Sequence, residues 1–239
     1  MADRSAPAIP VTSNVLKLIA ILSMLTDHIG AVLFPQYRIL RWIGRLAFPI
    51  FVFLLTEGFF HTHNRRHYLL RLFLFAFISE IPFDLAFSKT PMDLEKCNVF
   101  FTLALGFLVM MLAEWLYSSP NRFSHEPLRT VGAFALIVGC FAVADGLHTD
   151  YSSAGLLAIG IGYCLQRMNF HRCVIFSGIV LMLVIVHSVE AWAYLALPFV
   201  FLYNGRLGIK NKFLQFAFYA FYPAHLLILY FIKNSGILP

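Results

Sequence analysis

Runs of about twenty apolar residues recur along the whole chain with short polar gaps between them, and that spacing leaves few folds open. A helix of about 20 residues crosses the roughly 30 Å hydrocarbon core of a bilayer. Inside lipid a helix also satisfies its own backbone N–H and C=O groups, which an irregular segment cannot do. Nine such runs are read, at residues 15–34, 43–60, 68–87, 98–117, 129–147, 153–166, 173–187, 191–203 and 213–232. The sixth and eighth are short and Pro198 interrupts the eighth, so a broken or re-entrant segment there would change the parity of the crossings. The fold class predicted is all-α: a polytopic integral membrane helix bundle of about nine transmembrane helices. Residues 1–14 form a cytoplasmic N-terminal segment, and residues 15–239 form one transmembrane domain.

Composition agrees. Of 239 residues, 60% are hydrophobic and only 13% charged, against roughly 25% charged in an ordinary soluble domain. A water-soluble globule of this size would lack the polar surface to cover itself. The net charge of +6 has no soluble basic domain or patch to carry it, which excludes nucleic acid as a partner. The first apolar run carries Lys17 and Asp27 and no small-residue cleavage site, so it reads as a span and not as a removable signal. Cys97, Cys140, Cys164 and Cys173 form no C-x-x-C pair and are expected to be buried thiols.

Short loops fix the orientation through their lysines and arginines. With the N-terminus inside, the inner segments hold ten basic residues and the outer ones five, which favours N-in. Charges within spans, assigned to the nearer end, sharpen the picture. The inner half then carries twelve basic residues against four acids, and the outer half six basic residues against eight acids. Part of the inner excess is the ordinary topology signal. The outer acids need another reason, because several lie inside helices where an ionisable group costs about 2.5 to 3.5 kcal/mol.

Such groups should face the bundle interior and pair. Lys17 and His28 lie eleven residues apart, on one face of the first span and about 16 Å apart along its axis. Arg45 should sit level with Asp27 and His28, and Glu57 near the inner end of the second span. Glu80 and Asp84 lie one turn apart with Pro82 between them, again in the outer half. Asn98, Asp145, Tyr151 and Glu190 reach the same layer from other spans. A bland reading stands beside each: Asp27 with Arg45 as a structural ion pair, the stretch 145–153 as a loop whose serines cap the next helix, Glu190 as a solvated acid.

The chemistry such a layer suits is acyl transfer, with His28 as a general base for an attacking amine or hydroxyl. Neighbours on a helix point about 100° apart, so Asp27 cannot easily orient His28. Glu80 or Asp84 from another helix is the expected orienter, and Arg45 the expected stabiliser of an oxyanion or an acid. His225 is a second imidazole able to approach the cavity, or a satisfied core histidine. The basic residues Lys17, Arg65, Arg66 and Arg71 at the inner side suit a phosphorylated ligand, although positive-inside topology also explains them. His61, His63 and His67 have ligand-like spacing, but Arg65 and Arg66 beside them oppose a cation, and no metal is expected.

The blocks Leu16-Lys17-Leu18-Ile19-Ala20, Asp27-His28-Ile29-Gly30 and Ile43-Gly44-Arg45-Leu46-Ala47-Phe48-Pro49 resemble the opening of the TraX family of conjugal transfer proteins. The likeness continues through Ser79-Glu80-Ile81-Pro82-Phe83-Asp84, Asn98-Val99-Phe100-Phe101-Thr102 and Tyr222-Pro223-Ala224-His225-Leu226. It covers nearly the whole chain. The resemblance implies a bacterial inner-membrane acetyltransferase, associated with N-terminal acetylation of pilin subunits. It is also similar to the wider class of membrane acyltransferases marked by a basic residue, ten positions and a histidine in the first span, a pattern that Lys17 and His28 fit. That class implies His28 as base, cytoplasmic acetyl-coenzyme A as donor and an acceptor met on the far side. The Arg-x-x-Arg spacing of Arg38 and Arg41 also has a counterpart there, but these two are read as loop residues without that role. The acceptor implied is a pilin-like amine; a cell-envelope glycan hydroxyl and, from another class, a proton-coupled transporter are the alternatives.

Overall fold

A computed structural model of the chain describes residues 11–88, 96–118 and 127–235. The helices are α1 (Ser13–Val32), α2 (Arg38–Gly44), α3 (Ala47–His61), α4 (Arg65–Phe87), α5 (Val99–Tyr117), α6 (Pro127–Gly146), α7 (Ser152–Arg167), α8 (Arg172–Val186), α9 (Leu197–Phe201) and α10 (Lys212–Asn234). A 3₁₀ segment, Ser188–Ala196, joins α8 to α9. Asp3, Arg4, Lys89, Asp93, Glu95, Arg122 and Glu126, which entered the charge map, lie outside the described residues.

Among the described residues five helical stretches are long and apolar enough to cross a membrane: Ser13–Val32, Arg38–His61, Val99–Tyr117, Pro127–Gly146 and Lys212–Asn234. The chain is thus an all-helical membrane protein. Two further apolar helical stretches, Arg172–Val186 and Ser188–Phe201, are shorter. Helix α4 is long but carries Arg65, Arg66, Arg71, Glu80 and Asp84, and α7 has 16 residues.

Local chemistry sets the helix starts. The side chains of Thr12, Asn64, Asn98 and Asn211 accept backbone N–H groups of the first turns of α1, α4, α5 and α10, satisfying donors that have no partner within the helix. Pro198 lies in the first turn of α9, where its missing N–H costs nothing. The expected second span begins earlier than its apolar run: the segment from Arg38 is helical, and the chain turns at Arg45 and Leu46 before α3. The eighth likewise begins at Ser188, in the tighter 3₁₀ form.

Helix α1 packs against α2, α3 and α10; α4 against α5 and α10; α7 against α5 and α8. The main core runs through these contacts, with Phe53, Phe59, Phe107 and Phe176 fully buried in it. Helix α6 packs on α5 and α7 at the edge, and only 22% of its apolar window is covered by protein. At one end of the bundle the backbone of 11–14 pairs with that of 203–207, through Asn204 N–H to Val11 O at 2.9 Å and Ser13 N–H to Arg206 O at 2.9 Å. This pairing seats the start of α1 beside the ends of α3 and α9 and the beginnings of α4 and α10. The opposite end gathers the C-terminal turns of α1, α4 and α8, the N-terminal turns of α3, α5 and α7, and Glu190.

Candidate active site

Each end holds an open-sided cavity. The one at the second end has a volume of about 600 Å³ and is lined by Asp27, His28, Arg41, Arg45, Tyr151 and Glu190, among others. The other, about 520 Å³, is lined by Lys17, Glu57, Arg71, Lys210 and a larger apolar surface. Met24, Phe51, Val99 and Tyr222 line both. These four side chains form a septum between the cavities.

His28, near the C-terminal end of α1, is buried against the ring edges of Phe87 and Tyr222 at 5.3 and 5.9 Å. Its Nδ1 lies 2.7 Å from Nε2 of His225, and the two rings are parallel. Nδ1 of His225 in turn lies 2.8 Å from the carbonyl oxygen of Phe221. A carbonyl only accepts, so His225 Nδ1 carries the hydrogen and donates it. In the neutral pair His225 Nε2 then holds a lone pair and accepts from His28 Nδ1–H. One backbone carbonyl thereby fixes both tautomers and leaves His28 Nε2 as a base on a residue that lines the cavity. The ring partner of His28 is a histidine 197 residues away in sequence, on the last helix, and not the carboxylate of Glu80 or Asp84 that the sequence suggested. His225 itself is outside the cavity lining, and its Nε2 meets that lining only through His28.

Asp27 points to the other side of α1. Its Oδ2 accepts from Arg41 at 2.5 Å and its Oδ1 from Arg45 at 2.9 Å, while Arg45 also donates to Glu190 Oε1 at 2.9 Å and to the Arg41 carbonyl at 3.2 Å. Two acids and two arginines cancel in charge and tie α1, α2 and the 3₁₀ segment together. Gly44 makes the approach possible, because a Cβ there would run into the Asp27 carboxylate. Arg41, read from sequence as a loop residue, is part of this cluster, and Glu190 is 2% exposed where a solvated acid was the bland expectation. Arg45 is held at three nitrogens by neighbours, which is the structural ion pair reading and leaves its charge compensated.

Glu80 serves a different joint. Its Oε2 accepts from the Asn98 backbone N–H at 3.2 Å and from the Asn98 side-chain amide. Asn98 also donates to the Ala76 carbonyl at 2.8 Å and caps α5 through Phe100 N–H at 3.0 Å. These residues lock α4 to the start of α5. Asp84 is buried on the same helix, and neither it nor Glu80 nor Asn98 belongs to the cavity lining. Asp145 accepts the Ser153 N–H at 2.8 Å and so caps the start of α7 itself. Tyr151 does reach the cavity, stacked on Phe48 with ring centres 3.6 Å apart. Between α4 and α5, burial first and then Glu80 push the Cys97 thiol up to about 12, which favours the neutral thiol at neutral pH. Cys164, by contrast, is exposed and Cys173 half-buried.

Lys17 and Arg71 line the other cavity, together with Lys210. Arg71 lies between the rings of Tyr68 and Tyr219, 5.0 Å from each. Arg65 and Arg66 are outside this lining; Arg65 covers the Phe59 ring at 4.1 Å and donates to the Phe59 carbonyl. Glu57 accepts from the Tyr203 hydroxyl at 2.5 Å, and that hydroxyl also meets Ser13 at 2.7 Å. His61 donates to the Glu57 carbonyl at 2.9 Å.

Comparison with known proteins places these residues in context. A probable fimbrial assembly protein FimC, serogroup H1, of Dichelobacter nodosus is 31% identical over 229 residues, spanning 90% of this chain and 92% of that protein. The uncharacterized protein RP591 of Rickettsia prowazekii (strain Madrid E) is 43% identical over 53 residues, 22% of this chain and 21% of its own length. No solved structure matches. Residues 12–233 match the family model described as TraX protein, from the cap of α1 to the last turn of α10. Both histidines, both cavities and the septum between them fall within that match, and the chain belongs to the TraX family.

Proposed function

We propose that the protein is a membrane-embedded acetyltransferase that moves an acetyl group from acetyl-coenzyme A, bound from the cytoplasmic side, to an acceptor amine near the outer side of a bacterial inner membrane. In this reading the chain crosses nine times with its N-terminus inside, and α2 with α3, and the 3₁₀ segment with α9, each count as one crossing. The observation that carries the reading is the His28 base, fixed by His225 and the Phe221 carbonyl, at the wall of a cavity that shares its septum with a cationic one.

The cationic cavity suits the donor. Lys17, Arg71 and Lys210 attract phosphates, and its apolar walls suit a pantetheine arm leading toward Met24, Phe51, Val99 and Tyr222. At the septum the thioester carbonyl meets the acceptor held in the outer cavity. His28 Nε2 takes a proton from the acceptor amine as its nitrogen bonds to the carbonyl carbon. The tetrahedral adduct then collapses, the C–S bond breaks, and the coenzyme A thiolate takes the proton from His28. The imidazolium formed between these steps keeps its Nδ1–H on His225. A relative named as a fimbrial assembly protein supports a pilin-like N-terminus as the acceptor. Purified wild-type protein is expected to transfer label from acetyl-coenzyme A to a peptide bearing a free N-terminal amine. The His28→Gln protein, matched for fold by melting, is expected to lose at least about 100-fold; retention of full transfer would end the proposal.

A further inference from the structure

Transfer from a thioester builds negative charge on its carbonyl oxygen, and a buried site without a donor aimed at that oxygen forfeits much of the rate. Arg45 is poorly suited to the task, because Asp27, Glu190 and the Arg41 carbonyl hold it. Arg41 is on Asp27 and Lys96 on Asp150. We infer that Tyr222 is the oxyanion donor and thus a further catalytic residue, an assignment that rests on the acetyl-transfer reading.

Three observations converge on it. Tyr222 lines both cavities, so it stands where a thioester arriving from one side meets the base on the other. Its ring touches both imidazoles edge-on, at 5.9 Å from His28 and 5.7 Å from His225. Beside it in that wall is Val99, the first residue of α5 and another member of the septum. The accounting at that helix start is informative. Asn98 N–H goes to Glu80, Phe100 N–H to the Asn98 side chain, and Phe101 N–H to the Asn98 carbonyl. Val99 N–H is the donor left over, at the septum that Val99 shares with Tyr222. The phenol of Tyr222 has a hydrogen to donate, and the N-terminus of α5 beside it favours negative charge there.

As the acceptor nitrogen bonds to the carbonyl carbon, the carbonyl π electrons move to oxygen and Tyr222 O–H donates a hydrogen bond to it without giving up its proton. When the C–S bond breaks, those electrons re-form the C=O and the hydrogen bond weakens. Tyr151, the other phenol of the outer cavity, stacks on Phe48 and lines that cavity but not the cationic one, so it makes an internal control.

The test is steady-state acetyl transfer to an N-terminal amine peptide by full-length protein in detergent, comparing wild type, Tyr222→Phe, Tyr151→Phe and His28→Gln. Tyr222→Phe is expected to lower kcat about 100-fold or more, with KM for acetyl-coenzyme A within about threefold, and Tyr151→Phe to change kcat less than about tenfold. Replacing Tyr222 with ring-fluorinated tyrosines, which keep the packing, should change kcat in step with phenol acidity. That series decides the matter if the phenylalanine variant does not fold. A kcat for Tyr222→Phe within threefold of wild type, or one indifferent to fluorination, overturns the assignment while His28→Gln inactivity leaves the transferase reading standing. Full activity of His28→Gln, or no transfer by wild type, overturns that reading and this assignment with it.

Discussion

A histidine whose Nδ1 is committed has one nitrogen left with which to act, and the Phe221 carbonyl makes that commitment for His28 from two rings away. Removing His225 frees His28 to place its hydrogen on either nitrogen, and one of the two tautomers is useless as a base. His225→Leu is therefore expected to lower kcat by at least about tenfold while KM for acetyl-coenzyme A stays put. His225→Gln, whose amide oxygen can accept from His28 Nδ1–H, should recover part of that loss. A packing role alone would not separate Leu from Gln in kcat at equal melting temperature. The sequence singled out His28 as an ionisable side chain within an apolar run, and the family resemblance added its spacing from Lys17. The partner was not legible: carboxylates are the usual orienters, and nothing local in the Tyr222-Pro223-Ala224-His225 stretch says that α10 lies against α1.

At the scale of elements, the segment from Arg38 to Gly44 shows where sequence reading stops. It has arginines at both 38 and 41 and no continuous apolar run, so it reads as loop; in the structure it is a helix laid against α1, and its arginine completes the Asp27 cluster. Glycine is what permits that contact. Gly44→Ala would drive a methyl group into the Asp27 carboxylate and force α2 away from α1. The expected cost is about 1 to 3 kcal/mol, seen as a lowered denaturation midpoint in detergent, and the same variant should lose transfer because the cavity wall moves. An unchanged midpoint would mean that α2 packs differently. Glu80 and Asn98 teach the complementary lesson. Their place toward the His28 end of the bundle was legible, but that place does not distinguish a residue that faces a cavity from one that ties two helices together.

At the scale of the whole molecule the chain reads as basic residues toward one end and scarce acids with His28 toward the other, and in the structure Asp27 and Glu190 at the His28 end are paired with Arg41 and Arg45. The structure adds that the two ends are separate cavities, and that Met24, Phe51, Val99 and Tyr222, none of them charged, stand between them. Apolar and aromatic residues carry no mark in a sequence that is 60% hydrophobic, so the septum could be found only in three dimensions. It also defines the central claim, that an acetyl group passes from a donor on one face of the membrane to an acceptor on the other. The direct measurement uses sealed proteoliposomes with labelled acetyl-coenzyme A trapped inside and an impermeant amine peptide outside. Label is expected on the external peptide from wild-type vesicles and not from His28→Gln vesicles. Transfer that occurs only when donor and acceptor share one compartment would contradict the account.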